Sequence, residues 1–139
     1  MIIEKVTSCC PAGRDAAARM SRALPPYQAI DHNGPWGFDK MTGEELCGLM
    51  KTLASFETMT MGEAFPGSGH PGKDYNIEDI PTQEARDRLD AIGLADMTKI
   101  SVFRLSGVLR LYGFRRENVF HVVWWDPPHQ IWPSVKKHT

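Results

Sequence analysis

Cysteine is scarce, with three in 139 residues. Cys9 and Cys10 are adjacent, so a bridge between them would be strained. Cys47 falls inside a stretch of helical pattern. An odd count without a framework fits a reducing compartment. A structural zinc site would need two further ligands beside Cys9 and Cys10, and no C-x-x-C or H-x-x-x-H spacing supplies them. No metal and no cofactor is expected. Long apolar runs are missing as well, so no segment reads as a membrane span. The opening Met1-Ile2-Ile3-Glu4-Lys5 lacks the charged start and apolar stretch of a signal peptide. Asn33, Asn76 and Asn118 are all followed by residues that rule out an Asn-x-Ser/Thr acceptor. The expectation is a cytoplasmic chain with no membrane partner.

A nucleotide-binding loop is also lacking. Gly67 to Lys73 spells G-x-x-x-x-G-K, but Asp74 stands where a magnesium-holding Ser or Thr is required. No strand is expected before this loop and no helix after it, so its amides would not converge on a phosphate.

What remains is an ordinary globular composition, 42% hydrophobic and 24% charged, at a length that suits one core. The charge is unevenly spread. Residues 1–98 hold nine Lys/Arg against fifteen Asp/Glu, and residues 99–139 hold seven against two. His121, His129 and His138 also fall in the second part. Such segregation points to a polyanion or an acidic protein as partner for the C-terminal part, or to mutual neutralisation within the fold.

Ile2, Ile3 and Val6 suggest a short strand, and the Ala-rich Arg14 to Leu24 a helix ended by Pro25-Pro26. Asp31-His32-Asn33-Gly34-Pro35 has turn chemistry and reads as a hinge between an N-terminal extension (1–34) and a single α+β domain (35–139). Thr42-Gly43-Glu44-Glu45 is a capping box, and Leu46, Leu49, Met50, Leu53 and Phe56 follow at helical spacing. Thr60-Met61-Gly62-Glu63 is a second box. Thr82 is placed to cap a third helix, with Ala85, Leu89 and Ile92 inward, Arg86, Asp87, Arg88 and Asp90 outward, and Gly93 closing it.

The rest reads as strands: 100–105, 108–114, a nearly all-apolar 119–125 and a short 130–132. Turns fall at Ser106-Gly107, Arg115–Asn118 and Asp126–His129. The expected architecture is helices packed on one face of an antiparallel meander. Two-residue turns pair Phe103 with Arg110, Phe114 with His121 and Arg110 with Trp125. Alternation then puts Val102, Leu109, Leu111, Phe120, Val122 and Trp124 on the helix side, with Arg104 near its end. Phe103, Leu105, Arg110, Tyr112, Phe114, His121, Val123 and Trp125 share the other side. A cation, an imidazole and flat rings on one face suit single-stranded nucleic acid. A sheet face half covered by the N-terminal extension is the competing reading.

The stretches Phe103-Arg104-Leu105-Ser106-Gly107-Val108-Leu109-Arg110-Leu111-Tyr112-Gly113-Phe114 and Val119 to Pro133, with Asp126-Pro127-Pro128-His129 between strands, resemble the C-terminal part of RelE/ParE-like toxins. Trp36-Gly37-Phe38-Asp39-Lys40-Met41 and the DP-x-H ending also resemble a group of bacterial and phage proteins. The resemblance implies a toxin of a type II toxin-antitoxin system that cleaves mRNA without metal, commonly on the ribosome, with an antitoxin protein as partner. By position it assigns the phosphate-stabilising arginine to Arg110 and the acid/base to His129, with His121 as the other imidazole. The resemblance makes Lys136, Lys137 and His138 tail contacts to the phosphate backbone, and Tyr112 and Trp125 on the aromatic face, with Arg115 and Arg116, are expected as further nucleic-acid contacts. Departures are plain: the chain is slightly acidic and longer, and Lys99 alone stands where a lysine pair is usual. ParE-type members act on gyrase, so a gyrase-directed toxin and a non-catalytic RNA- or protein-binding module stay open. His129 is also open to a second role, bonding Asp126 to lock its turn.

Overall fold

Residues 29–68, 70–106 and 108–133 are described by the structure, a computed structural model of the chain. The expectations placed on Ile2 to Leu24, on Cys9 and Cys10, and on Lys136, Lys137 and His138 lie outside the described residues. The elements run α1 (Gly43–Phe56), α2 (Met61–Ala64), β1 (Gly72–Asn76), α3 (Gln83–Ala91), β2 (Lys99–Ser106), β3 (Leu109–Arg116) and β4 (Val119–Asp126). The four strands form one antiparallel sheet in chain order. The class is therefore α+β. No helix among the described residues is long and apolar enough to cross a membrane.

Both expected capping boxes are present. Thr42 Oγ1 accepts the Glu45 amide at 3.2 Å while Glu45 accepts the Thr42 amide at 2.8 Å. Thr60 and Glu63 do the same at 3.2 and 2.7 Å, which starts α2. Two of the four orphan amides at each helix start are satisfied in this way. Leu49, Leu53 and Phe56 then fall on one side of α1 and pack with Ala64 of α2 on Phe103, Leu111, Phe120, Val122 and Trp125. The Phe56 ring stacks on Phe103 at 4.9 Å. Leu46 and Met50 remain exposed.

The helices do not share one sheet face, contrary to expectation. Ala85 and Leu89 of α3 join Trp36, Ile80, Ile100, Val102, Tyr112, Phe114, Val123 and Trp124 in a separate core. Neighbouring residues such as Val102 and Phe103 divide between the two cores, as pleating requires. The sheet is thus covered by α1 and α2 on one side and by α3 on the other.

The start of α3 also differs from expectation. The Thr82 side chain makes no capping bond. Its hydroxyl donates instead to the Ile131 carbonyl at 2.8 Å, tying α3 to the segment after β4. Arg88 turns inward. It grips the buried Asp31 carboxylate through Nε at 2.8 Å and Nη2 at 2.7 Å. Asp31 also accepts the Trp124 indole N–H at 3.0 Å and the Gly34 amide at 3.2 Å. The Arg88 hydrogen bonds, with the Trp124 and Gly34 donors behind them, hold this carboxyl below its ordinary value despite burial. The 31–35 turn is therefore fastened to the body rather than free to hinge. Its chain runs on along β4, where Asp31 N bonds Val123 O and Trp125 N bonds Trp36 O. That pairing covers part of an open sheet edge.

Two further expectations are corrected. Gly72–Asn76 is a strand, β1, and not part of a loop. Gln130 to Trp132 contains bends and no strand. The closing Gly93 is confirmed in its left-handed role, at φ 83°.

Register decides which side chains face the site. Arg116 pairs with Val119 and Phe114 with His121, as the two-residue turn requires. Between Tyr112 and Gly113 the register shifts: Gly113 opposes Val122 while Tyr112 opposes Trp124, leaving Val123 extra. Arg110 consequently faces Asp126 instead of Trp125. A second shift lies between Arg104 and Ser106, so Arg104 pairs with Arg110 in place of the expected Phe103. Phe103, Leu105 and Trp125 pass to the α1 side, and Val102, Arg104 and Trp124 to the α3 side.

Candidate nucleic-acid interface

The α3 side of the sheet ends in a row of basic and aromatic residues. Lys73 opposes Val102 across the β1–β2 pair, Val102 opposes Tyr112, and Arg104 opposes Arg110. Tyr75, two residues after Lys73, returns to the same side. These side chains line a cleft of about 380 Å³, which His129, Trp132 and Pro133 complete from the segment after β4. Lys73 Nζ lies 5.0 Å from the Tyr75 ring centroid. Arg104 Nη1 lies 3.4 Å from His70 Nε2. Arg110 Nη1 donates to its neighbour's carbonyl, Leu109 O, at 2.9 Å.

The turn that delivers His129 is built on Asp126. This residue is fully buried. Its Oδ1 accepts the Gln130 amide and its Oδ2 the Ile131 amide, each at 2.9 Å. The His129 amide approaches the Asp126 carbonyl at 3.4 Å, and His129 itself adopts φ 58°. A non-glycine residue in that region is uncommon and needs such fastening. The carboxylate thus holds the turn through backbone amides on the C-terminal side of His129.

The electrostatics of the cleft are those of crowded positive charge. Burial, then the nearby Arg104, lowers the Arg110 pKa from its ordinary value. Burial lowers the His129 pKa below 6.5, and Arg110 and Arg104 add to this while Asp126 opposes it. His129 is therefore a neutral imidazole at pH 7. Burial and then the Asp126 carboxylate push the Tyr112 phenol above its ordinary value, so it stays a neutral hydroxyl. An anion entering the cleft would relieve these strains on the cations.

Of the residues singled out from sequence, Arg110, Tyr112 and His129 come together here. His121 is on the same sheet side by alternation but is buried opposite Phe114, with 4% of its surface exposed, and does not line the cleft. Trp125 is buried at 6% in the α1 core. Arg115 forms an ion pair with Asp74 and lies over the Phe65 ring at 4.3 Å. Arg116 is exposed on the last residue of β3. Lys73, Tyr75, Arg104 and Trp132 are the basic and aromatic cleft residues that the sequence reading does not include in the site. Alternation of Lys73 and Tyr75 around Asp74 was the available signal, hidden by the polar, glycine-led composition of β1. No group of His, Cys, Asp and Glu among the described residues is arranged to hold a metal ion.

Comparisons of the chain with protein-family models, with curated proteins and with solved structures found no match.

Proposed function

We propose that this cleft binds single-stranded RNA and that the chain is a metal-independent endoribonuclease, a toxin of RelE-like type. One observation carries the reading: Lys73, Arg104 and Arg110 converge with a neutral imidazole, His129, and with the aromatic rings of Tyr75 and Trp132 in a single recess. Cations hold phosphate and rings stack on bases. A neutral imidazole at pH 7 is competent to take a proton.

In this reading His129 removes the ribose 2′-hydroxyl proton. The 2′-oxygen attacks the adjacent phosphorus, and the bond from phosphorus to the 5′-oxygen breaks. Arg110, Arg104 and Lys73 hold the extra negative charge of the pentavalent phosphorane. Tyr112, kept as a neutral phenol, donates a hydrogen bond to a phosphate oxygen. The leaving 5′-oxygen takes a proton from solvent. The products are a 2′,3′-cyclic phosphate and a 5′-hydroxyl.

The experiment is incubation of the chain with single-stranded RNA, free and on translating ribosomes, in the presence of a chelator. Fragments with 2′,3′-cyclic phosphate ends are expected. Arg110→Ala and His129→Ala, checked for folding by circular dichroism, should each slow cleavage by about a hundredfold or more. Intact RNA under both conditions would overturn the catalytic reading. Salt-sensitive binding without turnover is the second reading, favoured by the burial of His121 away from the cleft, which leaves it one imidazole among the described residues.

A further inference from the structure

A second recess adjoins the cleft. It has a volume of about 370 Å³ and is lined by Asp74, Tyr75, Asn76, Asp79, Lys99 and Trp132. Tyr75 and Trp132 line both recesses, and their rings lie 4.4 Å apart at 37°. The ring pair is therefore the wall between the two.

Their chemistry differs. The first recess offers cations. The second offers chiefly acceptors. Asp74 is occupied by Arg115. Asp79 Oδ2 accepts Asn76 Nδ2 at 3.1 Å, which fixes the two side chains together. That bond leaves the other Asp79 oxygen and the Asn76 carbonyl oxygen for a ligand, with the Lys99 ammonium as a donor in the same recess.

We propose that the second recess is a base subsite that selects guanine. The inference rests on the RNA reading above. Guanine presents two neighbouring donors, N1–H and the N2 amino group, beside one acceptor, O6. Among the groups lining the recess, the second Asp79 oxygen, the Asn76 carbonyl oxygen and the Lys99 ammonium supply two acceptors and a donor, the complementary set. Adenine, cytosine and uracil each present a single donor group on this edge, so each would leave an acceptor of Asp79 or Asn76 against a lone pair. The Tyr75–Trp132 pair supplies a flat wall on which the base stacks while its phosphate reaches Lys73, Arg104 and Arg110 on the far side.

Binding of fluorescently labelled, 2′-O-methylated uridine hexamers to the full chain tests this, because the methyl groups block attack by the 2′-oxygen. One hexamer is uniform, and the others carry a single central guanosine, adenosine or cytidine. The guanosine hexamer should bind about tenfold more tightly than the adenosine and cytidine ones, the worth of one good bidentate base contact. Asp79→Ala, on an exposed side chain, should abolish that margin while the uniform hexamer still binds, since phosphate contacts carry no base preference. Equal affinities for guanosine and adenosine overturn the base assignment while the RNA reading stands. A guanosine margin that survives Asp79→Ala overturns it too. Failure of every hexamer to bind overturns the RNA reading and the inference with it.

Discussion

His129 occupies a turn fastened by the Asp126 carboxylate, and burial together with Arg110 and Arg104 holds its imidazole pKa below the ordinary 6.5. Lowering of this kind means the native state resists protonation. Its contribution to stability is full above about pH 6.5, the unfolded value, and is lost as pH falls through the lower native value. A bound anion reverses the balance by adding negative charge beside the ring. Proton uptake should therefore accompany anion binding, and sulfate affinity should rise as pH falls below 6.5. Calorimetric titration in buffers of different ionisation enthalpy measures that uptake, and an NMR titration of the His129 ring with and without sulfate measures the pKa directly. An unshifted ring on sulfate binding would place the anion elsewhere. The arginine half of the site is not visible in Arg110 alone. Arg104 and Arg110 face one another across β2 and β3, and Arg104 adds to burial in lowering the Arg110 pKa.

At the scale of the element, β1 and the irregularity in β3–β4 matter most. β1 reads poorly as a strand because Gly72, Lys73, Asp74 and Asn76 are weak strand formers. It forms because β2 offers an edge to pair with and because Gly72 passes close to α2. A Cβ at Gly72 would fall 2.5 Å from the Phe65 ring and 2.8 Å from the Ala64 carbonyl. Gly113 stands at the register shift that turns Trp124 to the α3 side and Trp125 to the α1 side. A Cβ there would lie 2.3 Å from the His121 carbonyl oxygen and 2.7 Å from the Phe120 ring. Backbone cannot yield by rotating a side chain, so β3 and β4 would have to separate locally. Gly113→Ala should cost about 1–3 kcal/mol in urea denaturation, in the range of core overpacking. Near-ultraviolet circular dichroism should change with it, since the two tryptophans report the pairing. An alanine variant of full stability would remove close packing as the reason for this glycine.

At the scale of the whole molecule, Asp31 ties the N-terminal side of the described fold to the sheet and to α3. One buried carboxylate joins the 29–36 segment, α3 through Arg88 and β4 through Trp124. Gly34 belongs to the same clamp, because a Cβ there would lie 2.2 Å from Asp31 Oδ2. Asp31→Ala leaves the Trp124 indole N–H and the Gly34 amide without their acceptor and should destabilise the fold by about 2–3 kcal/mol. The lowered pKa of Asp31 sets a pH window. The clamp contributes fully above the ordinary aspartate value of 3.8 and loses strength as pH falls below it toward the native value. Denaturation midpoints measured from pH 6 down to pH 2 should show a loss in the wild type that is smaller in Asp31→Ala. Equal slopes in the two proteins would show that the clamp does not carry the acid sensitivity.

The local features were legible in the chain itself. Capping boxes at Thr42 and Thr60, the helical spacing of Leu49, Leu53 and Phe56, the left-handed stop at Gly93 and the three strands of the basic meander all depend on neighbours within a few residues. Arg110 and Tyr112 could be picked from sequence for the same reason, since strand alternation sets which face carries their side chains. Tertiary packing decided the rest. Two register shifts moved Arg104 to the site and Trp125 away from it, because a bulge is set by what packs against both faces and not by the strand's own residues. Lys73 and Tyr75 joined the site only when β1 paired with β2, a contact that no local preference encodes. Sequence alone determined that the C-terminal part would be a basic meander. Only the tertiary structure decided which of its side chains share a cleft, since a single-residue shift in pairing reverses the face of every residue beyond it.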